Sequence, residues 1–97
     1  MTDNGISPFK TWFEKLEQTT RAISARSIQK VARGGGKKSV KSLKDGVFEI
    51  KISYGPGYRV YFAEEDNEII LLLIGGDKKS QNRDIKKAKD FWNNYVK

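Results

Sequence analysis

Apolar and polar residues alternate in two successive runs near the middle of the chain. Phe48, Ile50 and Ile52 alternate with Glu49, Lys51 and Ser53. After Gly55-Pro56-Gly57 the order repeats, with Val60 and Phe62 set against Arg59 and Tyr61. A period of two predicts strands, here Val47 to Ser53 and Tyr58 to Ala63, paired as an antiparallel hairpin with one face in the core and the other wet. Glu49, Lys51, Arg59 and Tyr61 then share the open face. A third strand follows from Glu68 to Ile74 after the short connection EEDN. Its run Ile69 to Ile74 is apolar at every position, which predicts a strand covered on both sides.

The helical period appears at the two ends. Pro8 reads as a first helical position after a Ser7 cap, and Phe9, Trp12, Phe13 and Leu16 follow at spacings of a helix face. A second helix is expected from about Thr20 to Val31 or Ala32, burying Ile23, Ile28 and Val31 and stopping at Gly34-Gly35-Gly36. Residues 34–46, rich in glycine and lysine, read as a mobile basic loop. Gly75-Gly76 reads as a turn, and a last helix from about Ser80 to Tyr95 offers Ile85, Ala88, Trp92 and Tyr95 or Val96 on one face. Trp12, Trp92, Phe9 and Phe91 sit at helical spacing and are expected in the core. The fold class is α+β: two N-terminal helices on a small antiparallel sheet, a three-stranded meander with room for a short extra N-terminal strand, plus a C-terminal helix.

Composition limits what such a fold does. The chain of 97 residues suits one domain, expected to span 1–97. Its net charge of +7 and pI near 9.7 call for an anionic partner. The charge is unevenly placed. Between Gln18 and Lys44 no acid occurs, while Arg21, Arg26, Lys30, Arg33, Lys37, Lys38, Lys41 and Lys44 are all basic. A basic loop beside a cationic sheet face points to RNA, although a solvated basic helix face would look the same. With no cysteine and no histidine, thiolate nucleophiles, imidazole bases and ordinary zinc sites are excluded, so no metal or cofactor is expected. MTDNGIS lacks the features of a leader, and the longest apolar run is too short to span a bilayer, so a cytoplasmic protein without a membrane partner is expected.

Cutting RNA through the 2′-hydroxyl requires removal of its proton, stabilisation of the developing charge and protonation of the leaving oxygen. Arg59, planar and always charged, suits the stabilising role. Lys51 beside it is a candidate base or second clamp, Lys78 a candidate for the leaving group, and Tyr61 a stacking platform or proton donor. Lys37, Lys38, Lys41, Lys44, Lys79 and Arg83 are candidate RNA contacts. Structural alternatives stand beside these roles: Arg59 paired with Glu49 across the strands, Lys51 a solvent-facing lysine, Tyr61 packed under the basic loop. GGDK lacks the spacing of a nucleotide-binding loop.

The segments LKDGVFEIKISYGPGYRVYF and LLLIGGDKKSQNRDIKKA together resemble the addiction-module killer proteins, a HigB-like, phage-derived (Gp49-like) branch of the RelE/ParE toxin superfamily. The resemblance runs from about Phe9 to Ala88, through Gly46, Glu49, Gly55 to Phe62, Gly75 to Lys78, Gln81, Asp84 and Ile85. It implies a toxin that enters the ribosome and cuts messenger RNA, neutralised by a cognate helix-turn-helix antitoxin. On that resemblance Arg59 matches the catalytic arginine of RelE, Lys51 a strand lysine, and Lys78 falls near the arginine of the final turn. Glu49 stands where RelE has a second strand lysine, and Asp84 or Ile85 where it has a catalytic tyrosine. The superfamily also holds gyrase inhibitors of the ParE kind, and a degenerate toxin retaining only RNA or antitoxin binding is a third expectation.

Overall fold

The computed structural model describes residues 8–66 and 68–96, without the side chains at 37, 68–71 and 96. Three α-helices and a four-stranded antiparallel sheet make an α+β fold: α1 Pro8–Glu14, α2 Gln18–Ala32, β1 Val40–Ser42, β2 Val47–Ile52, β3 Tyr58–Glu65, β4 Glu68–Asp77 and α3 Gln81–Val96. The strands lie side by side in chain order, β1-β2-β3-β4. Local chemistry sets the helix ends. The Glu17 side chain accepts a hydrogen bond from the Thr20 amide at the start of α2, satisfying one of the amides a helix start leaves unpaired. At its end Gly34, with φ +90°, and Gly35 donate back to the carbonyls of Val31 and Lys30. The proposed Ser7 cap and the N-terminal strand position lie outside the described residues.

Three expectations change. Residues 34–46 are not a loop throughout: a 3-10 turn at Lys37–Ser39 leads into β1, which pairs with β2 through Val40↔Ile50, Lys41↔Glu49 and Ser42↔Phe48. The strand the sequence did not predict therefore follows α2 in the chain and pairs along the outer side of β2. Gly75 and Gly76 do not form a turn, because β4 continues to Asp77 and both pair with β3. Each glycine instead lets a helix lie against the strand. A Cβ on Gly75 would fall within the ring of Trp12 from α1, and one on Gly76 would collide with the Asp84 carboxylate and Ser80. The two glycines thus admit close neighbours on opposite faces of one strand.

The third change is decisive for the site: both sheet faces are covered. Ile50, Ile52, Val60 and Phe62 pack under α1 and α2 with Phe9, Trp12, Ile23, Ile28 and Val31. On the other face Val47, Tyr61, Ala63 and Leu73 pack with Ala88 and Trp92 of α3, and Ile85 and Phe91 close the layer. The face carrying Glu49, Arg59 and Tyr61 is therefore covered by the last helix over most of its length. A bulge opposite Tyr61 and Phe62 places Leu73 and Ile74 both toward α3. All four helical aromatics expected in the core pack there or at its edge, whereas Tyr95 is 53% exposed and stacks on Trp92.

Candidate functional site

The candidate site lies where α3 begins over the sheet. In register, Lys51 pairs with Arg59 and Arg59 with Gly76; one row further, Glu49 pairs with Tyr61. Gln81 is the first residue of α3, so the helix covers the Glu49–Tyr61 row and leaves Lys51 exposed at the sheet end. Arg59 stands at the boundary, 8% exposed.

Glu49 organises this boundary. It is 3% exposed, and its carboxylate accepts from Arg59 Nη1 on Oε1 at 3.5 Å and from Gln81 Nε2 on Oε2 at 3.0 Å. A buried carboxylate is tolerable only with a counter-charge and hydrogen bonds, and here each oxygen has one partner. Arg59 Nε and the Tyr61 hydroxyl are buried beside it with no hydrogen-bond partner among the described residues. Burial first, then the nearby carboxylates of Glu49 and Asp84, push the Tyr61 phenol well above the ordinary tyrosine pKa, with Arg59 pulling the other way.

The start of α3 is fixed by its own polar contacts. Asp77 Oδ1 accepts from the Ser80 amide at 3.1 Å while Ser80 Oγ accepts from the Asp77 amide at 3.3 Å. Ser80 Oγ also donates to Asp84 Oδ2. Asp84, 4% exposed, lies in the first turn, where a negative charge complements the helix dipole. Lys78 is exposed between β4 and α3, and its amide donates to the Gly57 carbonyl at 3.0 Å, joining this corner to the turn at residues 54–57.

Of the candidate residues, Lys51, Arg59 and Lys78 gather at this end of the sheet. Lys79 and Arg83 are exposed on the adjacent helix start. Tyr61 is displaced from its expected role: it is fully buried under α3, out of reach of a base for stacking or of a leaving group for proton donation. The structural alternatives hold for two residues, since Arg59 does pair with Glu49 and Lys51 does face solvent. Lys38, Lys41 and Lys44 are exposed on the 3-10 turn, on β1 and in the β1–β2 connection; the Lys37 side chain lies outside the described residues. Glu49, Gln81 and Asp84 were not anticipated as one cluster. The available signal was Asp84 on the same helical stripe as Ala88 and Trp92, a carboxylate where the face should be apolar.

Among the described residues no group of acidic side chains is arranged to hold a metal ion, and no helix is long and apolar enough to cross a membrane.

Residues 11–92 match the family described as phage-derived protein Gp49-like. A Haemophilus influenzae protein, itself described as uncharacterized, is 38% identical over 81 residues, covering 84% of this chain and 82% of its own. No solved structure matches the chain significantly.

Proposed function

The chain belongs to the Gp49-like family of phage-derived proteins, and from that premise we propose that it is the toxin of a two-component addiction module, a ribosome-dependent endoribonuclease that cuts messenger RNA. The family is toxin-like, and such membership suggests an antitoxin partner; in this proposal that partner is a helix-turn-helix protein. The observation that carries the chemistry is the register pairing of exposed Lys51 with Arg59 at the sheet end that α3 leaves open. Arg59, held by Glu49 on one side, stabilises the charge that builds on the phosphate during attack by the 2′-hydroxyl. Lys51 takes the 2′-hydroxyl proton or clamps the same phosphate while solvent water takes that proton, and Lys78 gives a proton to the leaving oxygen. Lys38, Lys41, Lys44, Lys79 and Arg83 steer the RNA backbone, with Lys37 assigned to the same stretch from sequence. Tyr61 takes no part.

The test is a cell-free translation reaction with a defined message, mapping new 5′ ends with and without ribosomes. Arg59→Ala alone is a poor control, because it strands the buried Glu49 charge and threatens the fold. Lys51→Ala and Arg59→Lys, each checked for an intact thermal transition, are better. Cuts that need ribosomes and fall in both variants support the proposal. An intact message, or equal cutting by all three proteins, refutes it; growth arrest with intact transcripts and DNA breaks would move the target to gyrase.

A further inference from the structure

Arg59 is carried by β3, yet among the described residues no β3 group hydrogen-bonds its guanidinium. Its counter-charge Glu49 comes from β2, and Glu49 is in turn held by Gln81 of α3, so three separate elements meet in one chain of hydrogen bonds. We propose that Gln81 and Glu49 are positioning residues: the Gln81–Glu49 hydrogen bond fixes where the Arg59 guanidinium sits, and so makes the phosphate site depend on the first turn of α3. The inference rests on the proposed function for its catalytic consequence, but not for its structural one.

The bonding pattern supports this role. Arg59 Nη1 is bound to Glu49 while Nε is buried without a partner, so on the protein side the carboxylate is the one anchor of the guanidinium among the described residues. A carboxylate with two free rotamers would let that anchor move. Gln81 removes the freedom by donating to the second oxygen at 3.0 Å, and the first turn carrying it is seated by the Asp84 and Ser80 contacts over Gly76. Positioning of this kind matters because displacement of a charge-stabilising group by a fraction of an ångström lowers the rate of the chemical step more than it weakens binding.

Exchanging the two side chains gives a clean test. Gln81→Glu sets two carboxylates against each other; Glu49→Gln leaves Arg59 without its counter-charge. The double variant, Glu49→Gln with Gln81→Glu, restores a donor–acceptor pair and the net charge: the new amide donates to the new carboxylate while its carbonyl accepts from Arg59. The direct readout is the Arg59 Nε–H signal in 15N–1H spectra of the full-length protein. Buried as it is, this guanidinium Nε–H should exchange slowly with water in the parent. The expected result is exchange at least about tenfold faster in Gln81→Glu and in the milder Gln81→Ala, with recovery in the double variant. Where cleavage is measured, kcat falls about tenfold with KM changed far less, and the double variant regains most of it.

An unchanged Arg59 signal in Gln81→Ala, or a double variant no better than its worse parent, overturns the inference. Should Gln81→Glu fail to fold, Gln81→Ala decides, because it removes the donor without adding charge at a half-buried helix start. A parent protein that cuts no message overturns the proposed function, and the Arg59 signal then still decides whether Gln81 positions the guanidinium.

Discussion

Replacing Gly75 by alanine should strongly destabilise the protein, and the loss should disappear or reverse once Trp12 is removed. In an extended strand alanine is ordinarily better than glycine by about 0.5–1 kcal/mol, because it has less backbone entropy to lose. At Gly75 the new methyl would occupy the space of Trp12 Cε3, Cδ2 and Cζ3. The ring cannot bend aside, and it is also held edge-on by Tyr58 at 6.4 Å and tilted against Phe9 at 5.8 Å. Overpacking costs about 1–3 kcal/mol, and displacing a half-buried indole adds about 2 more by comparison with full aromatic truncations. The net expectation is a loss of about 2–4 kcal/mol, or a fall in Tm of roughly 10–25 °C for a domain this small. The assay is a double-mutant cycle in urea: parent, Gly75→Ala, Trp12→Ala and both. In the Trp12→Ala background Gly75→Ala should be neutral or stabilising by about 0.5–1 kcal/mol, a coupling of about 3 kcal/mol. Simple additivity of the two substitutions would refute the argument, as would a Gly75→Ala protein of parental stability.

Tyr61→Phe removes a buried hydroxyl with no partner at hydrogen-bond geometry among the described residues, so stability should hold or rise by about 1 kcal/mol in urea melts, and message cutting should persist. The same variant isolates a pH effect. Because the folded Tyr61 phenol titrates above its unfolded value, its stabilisation is complete below about pH 10 and declines as pH rises beyond that; the parent should lose more stability than Tyr61→Phe in alkaline melts. Lys51→Ala, at an exposed strand position, should leave stability within about 0.5 kcal/mol while reducing the salt slope of single-stranded RNA binding by about 0.7, read from binding titrations across ionic strength. Joint charge removal at Lys38 and Lys41 should flatten that slope further, and an unchanged slope would exclude this stretch from contact.

The elements were legible where periodicity was long. The apolar stripes of α2 and α3 and the alternation across residues 48–62 place their elements within a few residues of where they stand. β1 was not legible, because three residues with a lysine at the centre carry no period to read. Nor was the covering of the second sheet face, and Tyr61 shows why. Alternation tells which residues share a face, but not whether another layer lies over them. A cue was present in Val47 and Ala63, apolar residues on the same face as Glu49 and Tyr61, together with a final helix whose apolar stripe needed a surface. Arg59 and Lys51 could be placed side by side from hairpin register alone. The Gln81 contact could not, since it joins residues 32 apart in sequence through the angle at which α3 crosses the sheet.

The shortness of β1 also bears on how copies of the chain meet. It is one of the two outer strands of the sheet, β4 being the other, and its three residues give little backbone for another strand to pair with. Lys41 is its middle residue. A second copy approaching antiparallel about that centre would set one Lys41 directly opposite the other, a like-charge pairing that opposes growth of the sheet from chain to chain. The residue assigned to steering RNA thereby also guards the β1 edge against pairing with a second copy, so replacing Lys41 by an apolar residue would trade a weaker hold on RNA for a stickier edge.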